Sequence, residues 1–219
     1  MTNHLYDAVA RVARHEVGAR PTAAVGEVTD VHTRAGPSVD HAVTVKLRDR
    51  GLVLPKVPIV VGALGLVATP AVGDLVLVVF AEGDLHAPVV VGRLYHSDLA
   101  PPEHADGQVV LVLPPGSASP ALKAIVDGGA PSVELEVGSR TKVKITDGVV
   151  EVTAGDATVT IDATGSGEVK VAAGQASVTL AGKGDVTVEA ANALTLKATT
   201  IEIKASATVK ITGAKVDIN

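Results

Sequence analysis

Residues 142–162, KVKITDGVVEVTAGDATVTID, show the pattern that decides the fold of this chain. An apolar, a polar and an apolar residue follow one another, and a short turn of small or polar residues separates the triplets. Because side chains alternate between the two faces of a β-strand, each triplet places its aliphatic residues on one face and its central residue on the other. Eleven triplets start 7 to 10 residues apart, at Val133, Val143, Val150, Val159, Val169, Val178, Val186, Leu194, Ile201, Val209 and Val216. The repeat predicts stacked strands with an apolar interior and a charged exterior.

The composition favours a narrow interior over a globular core. Hydrophobic residues make up 47% of the 219 residues, but Tyr6, Phe80 and Tyr95 are the only aromatics. Aromatic side chains fill a three-dimensional core most efficiently, whereas Val and Ala suit thin layers. A net charge of −5 leaves no basic patch for nucleic acid, and the lack of cysteine excludes disulfides and thiolate sites. Charged residues interrupt the first twenty positions, so we expect no signal peptide, and no stretch reaches the roughly 20 apolar residues of a membrane span.

The chain reads as four segments. Residues 1–22 carry apolar residues at helical spacing between Tyr6 and Arg20 and predict an N-terminal helix. Residues 23–98 predict a small barrel of the oligonucleotide/oligosaccharide-binding (OB) type. Its five predicted strands are Val25–Val31, Ala42–Arg48, Val57–Val61, Asp74–Phe80 and Val89–Leu94. Residues 99–132 are rich in Pro and Gly and predict a connector with one strand at Gln108–Leu113 and a helical turn at Ala121–Val126. Residues 133–219 form the predicted shaft and tip.

Two architectures satisfy the repeat of the shaft. Three strands of about eight residues would form one coil of a single-chain solenoid, or three chains would each supply strands to the walls of a trimeric prism. A solenoid needs caps on its open edges, and this sequence ends on a further strand, Lys215 to Asn219. We therefore favour an intertwined homotrimer, a triple-stranded β-helix, whose eleven layers of about 4.8 Å give a shaft on the order of 50 Å long.

Residues 70–95, PAVGDLVLVVFAEGDLHAPVVVGRLY, carry a resemblance to a known family. The run resembles the barrel signature of phage baseplate spike proteins and valine-glycine repeat spikes. In that signature a P-x-V-G-D-x-V-x-V-x-F strand is followed by a G-D turn and a P-V-V-x-G-x-L-Y strand. The matching residues that we interpret as fold determinants, and not as ligands, are Gly73, Asp74, Phe80, Gly83, Asp84, Pro88, Gly92 and Tyr95. Residues 138–148 are similar to the entry into the spike shaft of the same family.

The resemblance implies a structural role in a contractile injection system, such as a phage tail, a type VI secretion system or an extracellular injection particle. A homotrimeric needle would stand at the front of the inner tube, with its barrel end on tube hub and baseplate proteins. It would be assembled in the bacterial cytoplasm, act at the envelope as part of the particle, and touch the target membrane only mechanically.

The resemblance also implies a partner at the far end of the shaft. The C-terminal residues are similar to a platform for a separate conical tip protein of the proline-alanine-alanine-arginine (PAAR) repeat type. The platform residues are Ile211, Gly213, Lys215, Val216, Asp217, Ile218 and Asn219. Some spikes of this family hold iron at the tip through an H-x-H pair. The last strand here has no histidine, so we expect no tip metal and no cofactor.

The alternative functions are an enzyme and an adhesive repeat. A carbohydrate-active single-chain β-helix would gather Asp, Arg, Lys and aromatic residues on one groove, whereas the outward residues of this repeat are scattered Thr, Lys and Glu. An adhesive or ice-binding repeat would need a regular threonine ladder, and this chain has a short imperfect one. Two local clusters resemble catalytic or cation-binding groups but fall in turns, and we expect both to be solvated: Ser38, Asp40 and His41, and Glu103, His104 and Asp106.

Overall fold

Strands account for nearly all the regular structure in the described part of the chain. The computed structural model describes residues 6–7, 11, 22–32, 40–49 and 51–217. The chain divides into two units, Met1–Pro101 and Pro102–Asn219. The first unit contains a five-stranded sheet and the second a nine-stranded sheet. The predicted all-β fold class is confirmed.

The first unit forms a five-stranded barrel. Its strands are β1 (Ala23–His32), β2 (Ala42–Leu47), β3 (Val53–Pro58), β4 (Leu75–Phe80) and β5 (Pro88–Leu94), in the antiparallel order β3-β2-β1-β4-β5. A parallel bridge joins Ile59, just after β3, to Val90 of β5, and the backbone N–H of Val60 donates to Val90 O at 2.9 Å. The two edge strands therefore meet, which is the arrangement expected of an OB barrel. Four of the five predicted strands are confirmed to within a few residues at each end.

Valine fills the barrel. The side chains that are less than 2% exposed are Val28, Val43, Val45, Val57, Val76, Val78 and Val90. Phe80, at the end of β4, is 3% exposed and belongs to the same cluster. The one phenylalanine of the chain thus lies in the single buried core that the described residues form.

The predicted bounds of the third strand are wrong. The strand runs over Val53–Pro58 and not over Val57–Val61. Leu54 and Val57 are both buried although they lie three residues apart, because the ladder to β2 shifts register between them. Lys56 adopts φ 49° within this irregularity. A β-bulge inserts an extra residue and breaks period-two alternation, so the sequence pattern pointed to the wrong residues.

The second unit is an antiparallel meander. Its strands are β6 (Gln108–Leu113), β7 (Leu122–Asp127), β8 (Ser132–Val137), β9 (Thr141–Thr146), β10 (Val149–Ala154), β11 (Ala157–Asp162), β12 (Glu168–Ala173), β13 (Ala176–Ala181) and β14 (Val186–Ala190). Each strand pairs with the next one along the chain, so the sheet order is the sequence order. The first seven triplets of the repeat lie in β8 to β14.

The sheet begins before the repeat does. The strand predicted at Gln108–Leu113 is confirmed as β6. The helical turn predicted at Ala121–Val126 is wrong, because these residues belong mostly to β7, which pairs with both β6 and β8. The two units divide between Pro101 and Pro102, inside the stretch that the sequence predicts as a connector.

The last four triplets form no strand over the part of them that the structure describes, which ends at Asp217. Residues 191–217 contain no strand or sheet ladder among the described residues, although their sequence alternates as regularly as that of β8 to β14. Turn chemistry separates the two regions. The turns from β8 to β14 each contain a glycine with positive φ, for example Gly148 (φ 76°) and Gly155 (φ 59°), as tight hairpins require. Between β14 and Gly213 the sequence has no glycine, so a chain on its own lacks the turn residues to continue the meander.

The N-terminal helix lies mostly outside the described residues. Tyr6, Asp7 and Arg11 are described and are helical, and the other residues between Tyr6 and Arg20 lie outside the described residues. In the described part of the chain, no helix is both long and apolar enough to span a membrane.

Candidate functional site: an open apolar sheet face

One face of the nine-stranded sheet is built from aliphatic residues. Its registers align an apolar residue of each strand with an apolar residue of the next. The first ladder consists of Val109, Val126, Val133, Ile145, Val150, Ile161, Val169, Leu180 and Val186. The second ladder consists of Leu111, Ala124, Leu135, Val143, Val152, Val159, Val171, Val178 and Val188. We call the surface formed by these two ladders the apolar face.

A third ladder on the same face becomes smaller along the sheet. In strand order it consists of Leu113, Leu122, Val137, Thr141, Ala154, Ala157, Ala173, Ala176 and Ala190. Alanine protrudes from a strand by a single methyl group, so a second surface can approach the sheet more closely at the β14 end than at the β6 end.

The apolar face is uncovered. No residue among the described positions 102–217 is buried, and Val109, Val171 and Val188 are 71%, 45% and 48% exposed. Nine strands spaced about 4.8 Å apart make a strip about 38 Å long. Monomeric proteins rarely expose contiguous apolar patches larger than a few hundred Å². An apolar face of this extent is typical of an interaction surface.

The opposite face carries charged residues. Between β8 and β9, Lys142 Nζ lies 2.9 Å from Glu134 Oε2 and 3.1 Å from Glu136 Oε1, and Lys144 Nζ lies 3.6 Å from Glu134 Oε1. The hydrogen bond from Lys142 is the main cause that lowers the pKa of Glu134, and hydrogen bonds to Glu134 and Glu136 raise the pKa of Lys142. The two faces of the sheet thus differ in the way that the triplet pattern predicts.

The segment after β14 contains a second group of exposed aliphatic side chains. Its large aliphatic residues are 48% to 68% exposed: Leu194, Leu196, Ile201, Ile203, Val209, Ile211 and Val216. We call residues 191–217 the C-terminal segment. Its backbone has no strand neighbour within the described chain, and its side chains have no core.

Two aspartates of the barrel signature stabilise turns. Asp74 Oδ2 accepts a hydrogen bond from the backbone N–H of Ala71 at 2.9 Å and lies 3.5 Å from Arg93 Nη1. Asp84 Oδ1 accepts a hydrogen bond from the backbone N–H of His86 at 2.8 Å, which is the main cause that lowers the pKa of Asp84. The glycines that precede them, Gly73 and Gly83, adopt φ 92° and 75°. These contacts agree with a role in the fold and leave no ligand group to assign.

The other signature residues differ among themselves. Phe80 lies in the core and Pro88 begins β5. Gly92 has ordinary φ, and no atom lies within 4 Å of the position that a Cβ atom would take there. Tyr95 is 59% exposed. The barrel of one chain therefore does not explain glycine at Gly92 or tyrosine at Tyr95.

The predicted tip platform is exposed where it is described. Lys215 Nζ lies 2.8 Å from Asp217 Oδ2, and Ile211 and Val216 are 66% and 48% exposed. Gly213 is described as well, whereas Ile218 and Asn219 lie outside the described residues. The platform remains a prediction.

The two local clusters do not assemble into a site in the described residues. Asp40 pairs with Lys56 at 3.2 Å, and Ser38 lies outside the described residues. His104 Nδ1 lies 2.9 Å from the backbone oxygen of Pro102. No group of three metal-ligating side chains occurs in the part of the chain that the structure describes.

Sequence reasoning missed two features of the barrel. Gly26, in β1, is buried, and a Cβ atom on it would stand 2.2 Å from Val45 Cγ1. The connection between β3 and β4 is apolar and exposed, with Leu64 at 97%. The signal for the second feature was in the sequence, because residues 59–73 contain no charged residue.

Comparison with known proteins identifies the barrel. Residues 25–95 match the family profile of the Type VI secretion system/phage-baseplate injector OB domain. The match covers all five strands of the first unit apart from the first two residues of β1. A search of curated proteins finds no match to this chain.

Proposed function

We propose that the chain is the central spike of a contractile injection system, because residues 25–95 match the family profile of the Type VI secretion system/phage-baseplate injector OB domain. In this proposal three copies form a needle at the front of the inner tube. The barrel is the mount on the tube hub and baseplate, and the second unit is the shaft. The chain acts through shape and stiffness and not as an enzyme.

The uncovered apolar face is the observation that carries the proposal. Three sheets that turn their apolar faces inward would form a triangular prism, in which the two aliphatic ladders of each chain bury one another. Burial of an aliphatic side chain stabilises by about 1.5–3 kcal/mol, and each chain supplies two ladders of nine residues. The interior of such a prism is thin, which agrees with the scarcity of aromatic residues in the chain.

The proposed shaft has two sections. In the first, β6 to β14, each chain pairs its own strands and only side chains meet across the axis. In the second, residues 191–217, the triplets have no strand partner in their own chain and would pair with the other two chains. Chains interlaced in this way cannot separate without unfolding, so the second section would give the needle its resistance to denaturants.

The shrinking third ladder supports a needle that narrows away from the barrel. Its leucines lie on β6 and β7, and its alanines lie on β10 to β14. A shaft that narrows in this direction would present its smallest cross-section at the C-terminal end. A PAAR-type tip protein would sit there, on Ile211, Gly213, Lys215, Val216, Asp217, Ile218 and Asn219.

The oligomeric state tests the proposal directly. Size-exclusion chromatography with light scattering should give a mass three times that of the 22.0 kDa chain. We expect the trimer to persist in SDS without boiling. A monodisperse monomer would refute the spike, because its apolar face would then be uncovered in solution.

A further inference from the structure

The barrel carries an apolar knob and an apolar groove. The knob is the turn at residues 63–67, closed by a hydrogen bond from Leu66 N–H to Ala63 O at 3.2 Å. Gly65 adopts φ 93°, which favours glycine, and the turn presents Leu64 at 97%, Leu66 at 58% and Val67 at 71% exposure. A hydrogen-bonded turn therefore holds three aliphatic side chains that are mostly exposed to solvent.

The groove lies between β3 and the β4–β5 turn. It has a volume of about 540 Å³, and its apolar lining includes Leu54, Pro58, Leu85, Ala87 and Val89. Lys56 and His86 also line the groove, and each has a partner in its own chain. Lys56 lies 3.2 Å from Asp40, and His86 Nδ1 lies 3.0 Å from Asp84.

We propose that the knob of one barrel inserts into the groove of the neighbouring barrel, so that the three barrels of the spike form a closed ring. The knob matches the groove in charge, because residues 59–73 contain no charged residue and Lys56, at the groove, is paired with Asp40 of its own chain. The presence of one knob and one groove on each chain also agrees with threefold symmetry. In a cyclic trimer every contact joins two different surfaces, and a ring of three needs one knob and one groove per chain.

The inference rests on the proposed trimer and adds the contact that would lock its mount. The knob is exposed in its own chain, so it does not fill the groove of the same barrel in this structure. Each of the three contacts would bury Leu64 and part of Val67. The ring would then hold the three barrels together around the axis without any contribution from the shaft.

Disulfide cross-linking tests the contact, because the chain contains no cysteine. We would mix chains carrying Leu64→Cys with chains carrying Ala87→Cys, refold them together and oxidise them. A bond between the two variants is necessarily between chains. Covalent dimers are expected, and the double variant Leu64→Cys/Ala87→Cys should give covalent trimers on a denaturing gel. The matched control is Leu64→Cys with Glu27→Cys, since Glu27 is exposed on β1 outside the groove, and it should not cross-link.

A second variant checks that the apolar contact causes the cross-link. Val67→Asp in the double-cysteine chain should reduce the cross-linked fraction by about tenfold or more, because a charge replaces a buried valine, while Val67→Ile should leave it unchanged. A trimer by light scattering that gives no cross-link, or only a bond within one chain, would overturn the ring and leave the spike intact. A monomer by light scattering would overturn both.

Discussion

Gly26 on β1 lies so close to the side chain of Val45 on β2 that there is no room for a Cβ atom at position 26. A Cβ atom built on Gly26 would stand 2.2 Å from Val45 Cγ1 and 3.1 Å from the backbone oxygen of Lys46. Val45 is fully buried in the core of the barrel, so a shift of its side chain would disturb the residues packed around it. The barrel therefore needs glycine here for packing, and φ at this position is ordinary.

Gly26→Ala should destabilise the barrel by about 1–3 kcal/mol, because an extra methyl group in a filled core forces its neighbours to shift. Amide hydrogen exchange in β1 and β2 should become faster by tenfold for each 1.4 kcal/mol lost. The control is Gly62→Ala, where φ is ordinary and nothing lies within 4 Å of the new atom. Equal exchange rates in the two variants would show that the core accommodates the methyl group.

A lysine placed on one face of β12 or on the other tests whether the apolar face is the trimer interface. Val171 belongs to the second aliphatic ladder, and its neighbour Ala172 points to the opposite face. Val171→Lys would bury an unpaired charge inside the trimer, which costs several kcal/mol, so the trimer should be lost. Ala172→Lys adds the same charge on the outer face and should leave the trimer intact by light scattering. If both variants remained trimeric, this face would not be the interface.

Two neighbouring residues of the C-terminal segment allow the same substitution to be compared on opposite sides of one proposed strand. In the triplet Leu194-Thr195-Leu196 the leucines would face the axis and the threonine would face solvent. Leu196→Asp should remove the resistance of the trimer to SDS, because it places a carboxylate in the interlaced section. Thr195→Asp should retain that resistance. Gel mobility without boiling distinguishes the two, and loss of resistance in both variants would argue against an alternating interchain strand.

Alternation and turn chemistry explain how much of this fold the sequence could predict. Period-two alternation correctly predicts four barrel strands and β8 to β14, because each of these strands has one buried or apolar face. The pattern failed at β3, where the bulge at Lys56 moves two buried residues to a spacing of three. It failed again at β7, where Leu122 to Asp127 alternate weakly and the Pro- and Gly-rich composition around them predicts a connector.

The sequence predicts only part of the candidate site, for a different reason. The triplets identify the apolar residues of a face, but which strands pair depends on the turns between them. Glycine at positive φ permits hairpins up to β14, and its absence thereafter leaves residues 191–217 without a partner in their own chain. Close approaches such as that of Gly26 to Val45 arise from the path of two strands in space and leave no pattern in the sequence.

The ion-pair cluster of β8 and β9 should make the stability of the shaft depend on pH. The pKa of Glu134 is lowered from 4.5, so its contribution is present above pH 4.5 and is lost as the pH falls through the lowered value. The pKa of Lys142 is raised from 10.5, so its contribution is present below pH 10.5 and is lost as the pH rises through the raised value. Both contributions are therefore complete between these limits.

Lys142→Met should lower the free energy of unfolding at pH 7 by about 0.5 kcal/mol, a small value because both side chains of the pair are partly exposed to solvent. The difference from the unmodified chain should diminish at acid pH, once the pH falls below the lowered pKa of Glu134 and its carboxylate is protonated. Lys144→Met is the control, since it removes only the 3.6 Å contact and keeps those at 2.9 and 3.1 Å. Urea unfolding at the two pH values measures the effect, and an equal loss at both would mean that Lys142 acts through the packing of its aliphatic chain and not through its charge.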